Sequence, residues 1–84
     1  MLNNVLLEGI IGDVRCAGRY TEISLSDCKG HYFPVYTREK LGKENIAKHI
    51  RVGGVLEAIS CMWRGLESKK VVVLADFINF LQKN

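Results

Sequence analysis

The stretch "SCMWRGLESKK", residues 60–70, combines residue types that can bind single-stranded nucleic acid. Trp63 is the only tryptophan of the chain, and Arg64, Lys69 and Lys70 follow it within seven residues. An indole ring stacks on any unpaired base, and neighbouring cations neutralise the phosphates. Alternatively, Trp63 covers one end of the fold while the charges only keep the segment soluble. The residue types favour neither reading.

Two β-rich runs nearer the N-terminus predict a hairpin of defined register. "YTEISLSD" alternates apolar with polar residues, and "HYFPVYT" follows after "CKG". A two-residue turn would oppose polar with apolar side chains. A three-residue loop over Cys28-Lys29-Gly30 instead gives two apolar pairs, Leu25 with Phe33 and Ile23 with Val35. We therefore predict that loop, with Gly30 in a left-handed conformation.

This register places three tyrosines on the face of the hairpin that points away from the core. Tyr20, Tyr32 and Tyr36 could stack on bases, form an oligomer interface, or simply be strand formers whose hydroxyls reach water. Like Trp63, they are candidate contacts to unpaired bases.

Other chemistry has little support in the sequence. Cys28-x-x-His31 has the spacing of a metal-ligand pair, but no second close pair accompanies it, so neither a metal site nor any other cofactor is predicted. The nine Asp and Glu residues are scattered, and no nucleophile motif, HExxH or glycine-rich phosphate loop is present. The sequence therefore predicts a protein that is not an enzyme.

Composition indicates one small domain over residues 1–84. A hydrophobic content of 48% is sufficient for a core, and the net charge of +3 is compatible with nucleic acid. Three widely spaced cysteines argue for reduced thiols. No apolar run approaches the roughly 20 residues of a membrane helix, and the opening "MLNNVLLEG" lacks a basic signal-peptide start. We expect a cytoplasmic protein with no membrane partner.

The predicted elements are five strands and one helix. The first strand covers residues 4–12, where Gly9 and Gly12 suggest bulges or bends. A turn at Ala17-Gly18 precedes the hairpin described above. The only helical candidate is residues 38–54, with an apolar stripe of Leu41, Ile46 and Ile50 and a stop at Gly53-Gly54. Its basic face is expected to be solvated. Two more strands, 55–63 and 69–81, flank the turn "RGLES".

Five strands with a helix between the third and fourth is the order of the OB-fold, a five-stranded Greek-key β-barrel. OB-folds bind ligands on strands 2 and 3 and on the loops that join strands 1–2 and 4–5. The three tyrosines and the Trp63 turn belong to these two regions. The sequence therefore predicts an all-β OB-fold with one short helix and a single-stranded nucleic acid as its ligand.

Several segments resemble bacterial single-stranded-DNA-binding proteins. "NNVLLEGIIGD" is similar to the opening of that family, "KLGKENIAKHIRVGG" to its helix and following turn, and "VVLADFINFL" to its closing strand. Within this superfamily the later half looks closest to the primosomal replication protein N branch, through Pro34-Val35, Val52-Gly53, "ISC" and "LESKKVVVLADFI".

The resemblance implies roles for individual residues. Tyr32 lies near a base-stacking tryptophan of the family, and Trp63 lies in the turn where the family has another. Arg64, Lys69 and Lys70 would replace DNA-binding lysines of the primosomal branch. The first strand commonly pairs with its mate in a dimer, which implies a homodimer or higher homo-oligomer with an interface at Asn4, Val5, Leu6, Glu8 and Ile10.

The chain also departs from the family pattern. The loop between strands 2 and 3 is only "CKG", and the chain ends at "FLQKN" without the acidic tail that recruits other replication proteins. We expect an accessory protein of replication or replication restart, with other restart proteins as further partners. Bases of the bound single-stranded DNA would stack on Tyr32, Tyr36 and Trp63. Phosphates of that DNA would contact Arg15, Arg19, Arg64, Lys69 and Lys70. Two alternative functions are a protein-interaction module that uses the same aromatic face and an RNA-binding OB protein.

Overall fold

The computed structural model describes residues 4–81, apart from the side chains of Cys61 and Trp63. The elements are β1 (Asn4–Ala17), β2 (Tyr20–Ser26), β3 (Tyr32–Thr37), a 3₁₀ turn (Lys43–Asn45), β4 (His49–Trp63) and β5 (Leu66–Phe80). The strands close into a barrel in the order β1-β2-β3-β5-β4, with β3 and β5 parallel and the other pairs antiparallel. This is the predicted five-stranded barrel.

The β2–β3 hairpin has the predicted register. Ile23 lies opposite Val35 and Leu25 opposite Phe33, and Gly30 has a left-handed φ of 90°. Because directly opposed residues share a face, Ile23 and Val35 are both fully buried. They belong to a core to which every strand contributes: Ile11, Val14, Ile23, Leu25, Val35, Ile50, Val52 and Val73.

The prediction of a helix over residues 38–54 is wrong. Helical structure in the described range is limited to the three-residue 3₁₀ turn, and β4 begins at His49. Ile50 and Val52 are both fully buried, which is the two-residue alternation of a strand, while Ile46 is 37% exposed. Pairing of β4 with residues Asn4–Ile10 of β1 satisfies backbone groups that the helix would have satisfied internally. Within residues 4–81 no helix is long and apolar enough to cross a membrane.

Two glycine predictions have different outcomes. The register of β1 against β2 shifts between Ile11 and Asp13, so the bulge expected at Gly12 is confirmed. Gly53 and Gly54 do not end a helix but lie inside β4 at a register shift against β5. A Cβ on Gly53 would collide with the ring of Phe77, so the glycine lets that ring approach the backbone of β4 closely.

The β4–β5 hairpin has a tighter turn than the predicted "RGLES". Arg64 and Gly65 alone form it, with φ values of 52° and 79°, the positive pair that a type I′ turn requires. Pairing runs from Trp63 opposite Leu66 to Ile50 opposite Phe80. The hairpin therefore presents Trp63 at the last rung before its turn.

Candidate nucleic-acid interface

Two of the predicted tyrosines form a pair on the outer face of β2 and β3. The ring centroids of Tyr20 and Tyr36 lie 6.0 Å apart with an interplanar angle of 51°. That distance is within the range of favourable aromatic pairs, so each ring limits the movement of the other. Both rings are half-buried and retain surface for a ligand.

Tyr32 belongs to a separate part of this face. Its side chain is 63% exposed, and its ring leans across β2 onto Gly12 of β1, where an added Cβ would lie 2.7 Å from a ring carbon. The structure therefore does not bring Tyr32 into contact with the Tyr20–Tyr36 pair, although all three rings lie outside the core.

The β4–β5 hairpin reaches the tyrosine pair through Lys70. The Lys70 Nζ lies 5.6 Å from the centroid of Tyr36 and 2.7 Å from Oε2 of Glu22. Glu22 faces Tyr36 across the strands and is only 17% exposed. A cation of the hairpin thus lies over an aromatic ring of the β2–β3 face, and a carboxylate holds it there.

Arg38 flanks the other tyrosine. Its guanidinium carbon lies 6.0 Å from the centroid of Tyr20, a cation–π distance. Sequence reasoning missed this residue because it assigned position 38 to the predicted helix. Its spacing of two from Tyr36 was the available signal, since alternate strand residues share a face.

A groove of about 450 Å³ continues from the tyrosine pair toward β5. It opens because β3 and β5 pair at only two rungs, Val35 with Val73 and Tyr36 with Leu74. Leu74 and Phe77 line it together with Tyr20 and Tyr36, and Phe77 is 46% exposed. Phe77 is a third ring on this surface. The sequence pattern does not indicate Phe77 as a ligand contact, because it predicts Gly53 at the end of a helix rather than opposite Phe77.

The remaining predicted hairpin contacts lie at or near its tip. Trp63 occupies the last rung of β4, and its indole lies outside the described part of the structure. Arg64 is exposed in the turn, and Lys69 is exposed opposite Ser60. The backbone therefore places these residues on the same hairpin as Lys70.

Arg15 and Arg19 lie where β1 turns into β2. Arg15 is opposite Glu22, and its Nε donates a hydrogen bond of 3.4 Å to Asp13. Arg19 is exposed in the turn. Both line a second cavity beside Tyr20, so this turn lies next to the tyrosine pair.

Cys28 and His31, whose spacing resembles that of a metal-ligand pair, have other contacts. His31 Nδ1 lies 3.0 Å from Oδ2 of Asp27, and Cys28 is an exposed loop residue. A backbone N–H of Lys29, and then the His31 side chain, lower the pKa of Asp27. No group of three or more His, Cys, Asp or Glu residues with metal-site geometry occurs in the described range.

The predicted dimer strand has one free edge. Residues Asn4–Ile10 of β1 pair with β4, and β2 joins β1 only from Ile10 onward. The other edge of the first residues of β1 therefore has no strand beside it among the described residues. Leu6 is 64% exposed there, and Glu8 binds Arg51 at 3.0 Å.

Comparison with known proteins identifies the fold. A chain of the Stn1-Ten1 complex of S. pombe superposes with a TM-score of 0.71 at 13% identity, over 98% of this chain and 60% of that one. The Plasmodium falciparum SSB in complex with ssDNA superposes with a TM-score of 0.67 at 13% identity, over 98% of this chain and 96% of that one. OBody NL8, bound to hen egg-white lysozyme, superposes with a TM-score of 0.68 at 22% identity, over 96% of each chain. The chain has an OB-fold.

The first of these matches is longer than this chain, which spans 60% of its length. No protein-family model matches the sequence, and no curated protein does. At identities of 13% to 22% the similarities show a shared fold. One such neighbour holds DNA and another holds a protein, so the fold alone does not define the ligand.

Proposed function

We propose that this protein binds single-stranded DNA without catalysis, as an accessory factor of replication or replication restart. The observation that carries the proposal is the Tyr20–Tyr36 pair with Arg38 over one ring and Lys70 over the other. Aromatic faces beside cations are what a sequence-tolerant single-strand site needs, because every base has a π-face and every nucleotide has a phosphate.

The mechanism is stacking coupled to exchange of ionic partners. Bases of the strand stack on Tyr36 and Tyr20 and, further along, on Phe77 and Trp63. Lys70 and Arg38 turn from the rings toward phosphates as the bases arrive. Tyr32 provides a separate stacking position over β1. The short β2–β3 loop leaves this face open without wrapping the strand.

The direct test is a titration of labelled dT oligomers, followed by fluorescence anisotropy. Single strands should bind, and duplexes of equal length should bind more weakly because their bases are already stacked. Equal binding of both forms would reduce the interaction to charge alone. A parallel titration with rU oligomers separates DNA from RNA preference, since only RNA carries the 2′-hydroxyl.

A protein-interaction module is the second candidate. The three-residue β2–β3 loop favours it, because a loop this short cannot close over a strand. The similar fold of OBody NL8, which is bound to lysozyme, also supports it. No binding to any oligomer at low salt would favour this candidate over the first.

The Glu22–Lys70 ion pair should restrain DNA binding. Glu22→Gln removes the carboxylate that competes with phosphate for Lys70, so we expect about fivefold tighter binding at about 0.1 M salt and a salt slope steeper by about 0.7. The control is Glu67→Gln, which makes the same charge change at an exposed position of the same hairpin. If both variants shift affinity equally, the ion pair has no specific part in binding.

We also propose a homodimer through the free edge of β1, involving Asn4, Val5, Leu6, Glu8 and Ile10. A lysine on an edge strand opposes strand addition, so Leu6→Lys should convert the dimer to a monomer in light scattering. Leu66→Lys is the matched control, because Leu66 is 71% exposed at the far hairpin. A wild-type protein that is monomeric at high concentration would contradict this proposal.

A further inference from the structure

A second cavity lies where the β3–β4 connection crosses the β1–β2 turn. It measures about 350 Å³. Lys40, Leu41 and Lys43 line one side of it, and Arg15, Arg19 and Tyr20 line the other. The sequence predicted residues 38–54 as a solvated basic helix. The structure instead brings two lysines of this segment next to two arginines of the β1–β2 region.

The charged side chains that line this cavity are all cationic. Four cations line it, Arg15, Arg19, Lys40 and Lys43, and no carboxylate is among its lining residues in the described range. Asp13 beside the cavity offsets one of the four positive charges, so the site keeps a net positive charge that attracts an anion. Arg and Lys are also the side chains that proteins use to hold phosphate oxygens.

The cavity is built from anchored parts. Leu41 packs against the hydrophobic core, which fixes the connection between its two lysines. Asp13 lies beside the cavity and bridges its two sides, with Oδ2 3.4 Å from Nε of Arg15 and Oδ1 3.3 Å from Nζ of Lys43. A backbone N–H of Val14, then Lys43 and Arg15, lower the pKa of Asp13, so this bridge stays charged near neutral pH.

The site adjoins the proposed strand path. Tyr20 lines both this cavity and the groove that contains Tyr36 and Phe77. A base stacked on Tyr20 would therefore have its phosphate at the mouth of the cationic cavity.

We infer that this cavity is a phosphate-binding pocket, in which Arg15, Arg19, Lys40 and Lys43 hold a terminal or an internal phosphate. The pocket's affinity for phosphate follows from the cavity itself, and the nucleic-acid source of that phosphate rests on the proposed function. Lys40 supplies the cleanest probe, because it is exposed and belongs to none of the ion pairs described above.

The first measurement is calorimetric binding of inorganic tripolyphosphate to the full chain. The wild type should bind, and Lys40→Ala should bind several-fold more weakly, because one of the four cations that face the anion is lost. Lys29→Ala is the matched control, since Lys29 is an exposed cation of the β2–β3 loop. Equal tripolyphosphate affinity in the two variants would overturn the pocket.

The second measurement separates the two phosphate sources. Oligo-dT with a 5′-phosphate, with a 3′-phosphate and with hydroxyl ends is titrated against the wild type and Lys40→Ala. A terminal site predicts several-fold tighter binding of one phosphorylated end, lost in Lys40→Ala. An internal site predicts no effect of end phosphorylation and a salt slope about 0.7 smaller in Lys40→Ala than in Lys29→Ala.

The two proposals can fail independently. If no oligomer binds but tripolyphosphate still distinguishes Lys40→Ala from Lys29→Ala, the pocket stands and the proposed function falls. If oligomers bind and the two variants cannot be told apart with either ligand, the pocket falls and the proposed function stands. Thermal unfolding of each variant checks that a loss of binding is not a loss of fold.

Discussion

Raising the salt concentration from about 50 to about 200 mM is expected to weaken binding of a dT oligomer about 20- to 100-fold. Five of the proposed phosphate contacts are predicted from the sequence alone: Arg15, Arg19, Arg64, Lys69 and Lys70. A single strand loses about 0.7 in log–log slope for each neutralised phosphate, so five contacts give a slope near −3.5. Arg15 and Lys70 must first exchange Asp13 and Glu22 for phosphate, and a slope without these two contacts is about −2.1.

The contribution of the β4–β5 hairpin to the salt dependence of binding can be measured separately. Lys69→Ala/Lys70→Ala should reduce its magnitude by up to about 1.4, because two phosphate contacts are lost. Lys29→Ala/Lys48→Ala removes the same charge elsewhere, since Lys29 is in the β2–β3 loop and Lys48 lies over Phe80. Anisotropy titrations at four salt concentrations give each slope. Equal slopes for the two double variants would exclude the hairpin from the phosphate path.

The sequence predicted the β2–β3 hairpin well because one face of it must be apolar. Only one loop length opposes Ile23 with Val35, and the structure has that register. The same rule placed Tyr20 and Tyr36 outside the core. The same rule could not place Tyr32 over Gly12. That contact reaches across β2 to β1, and its position depends on the bulge in β1.

The helix prediction over residues 38–54 failed for a physical reason. The same error left two features of the site unpredicted, the contact of Gly53 with Phe77 and the position of Lys40 and Lys43. In residues 38–54 the spacing of Leu41, Ile46 and Ile50 fits a helical stripe, but Ile50 and Val52 also fit a strand. Long-range pairing with β1 decides between these patterns, and local propensity is a weaker determinant than such tertiary contacts. Once β4 begins at His49, Gly53 faces Phe77, and the lysines at 40 and 43 lie beside the β1–β2 turn.

The fold could be predicted from the sequence more completely than the contacts of the ligand surface. The order of the five strands was enough to predict the OB-fold, although residues 38–54 do not form the predicted helix, because few topologies close five strands into a barrel. The contacts of Arg38 and Lys70 with the two tyrosine rings bring together side chains from β2, β3, β5 and the segment that follows β3. The spacing of two from Tyr36 indicates Arg38, but no spacing along one strand places Lys70 over Tyr36.

Replacing Trp63 with alanine is expected to weaken oligonucleotide binding by about 1–3 kcal/mol, the value of one base–aromatic stacking contact. Trp63 occupies the last rung before a tight turn, beside Arg64, on the hairpin whose Lys70 reaches Tyr36. A strand that stacks on Tyr36 and follows the cations of this hairpin would pass that rung. The loss should lie mainly in affinity at fixed salt, with little change in slope, since no charge is removed.

Leu66→Ala is the matched control for this change. Leu66 is the cross-strand partner of Trp63 and is 71% exposed, so it tests shortening of a large apolar side chain at the same rung. Because Trp63 is the only tryptophan, binding to the variant must be followed through a label on the DNA rather than through protein fluorescence. If Trp63→Ala binds as tightly as Leu66→Ala and unfolds at the same temperature as the wild type, the indole is not part of the interface. Stacking would then be confined to the barrel face, where the described rings are Tyr20, Tyr32, Tyr36 and Phe77.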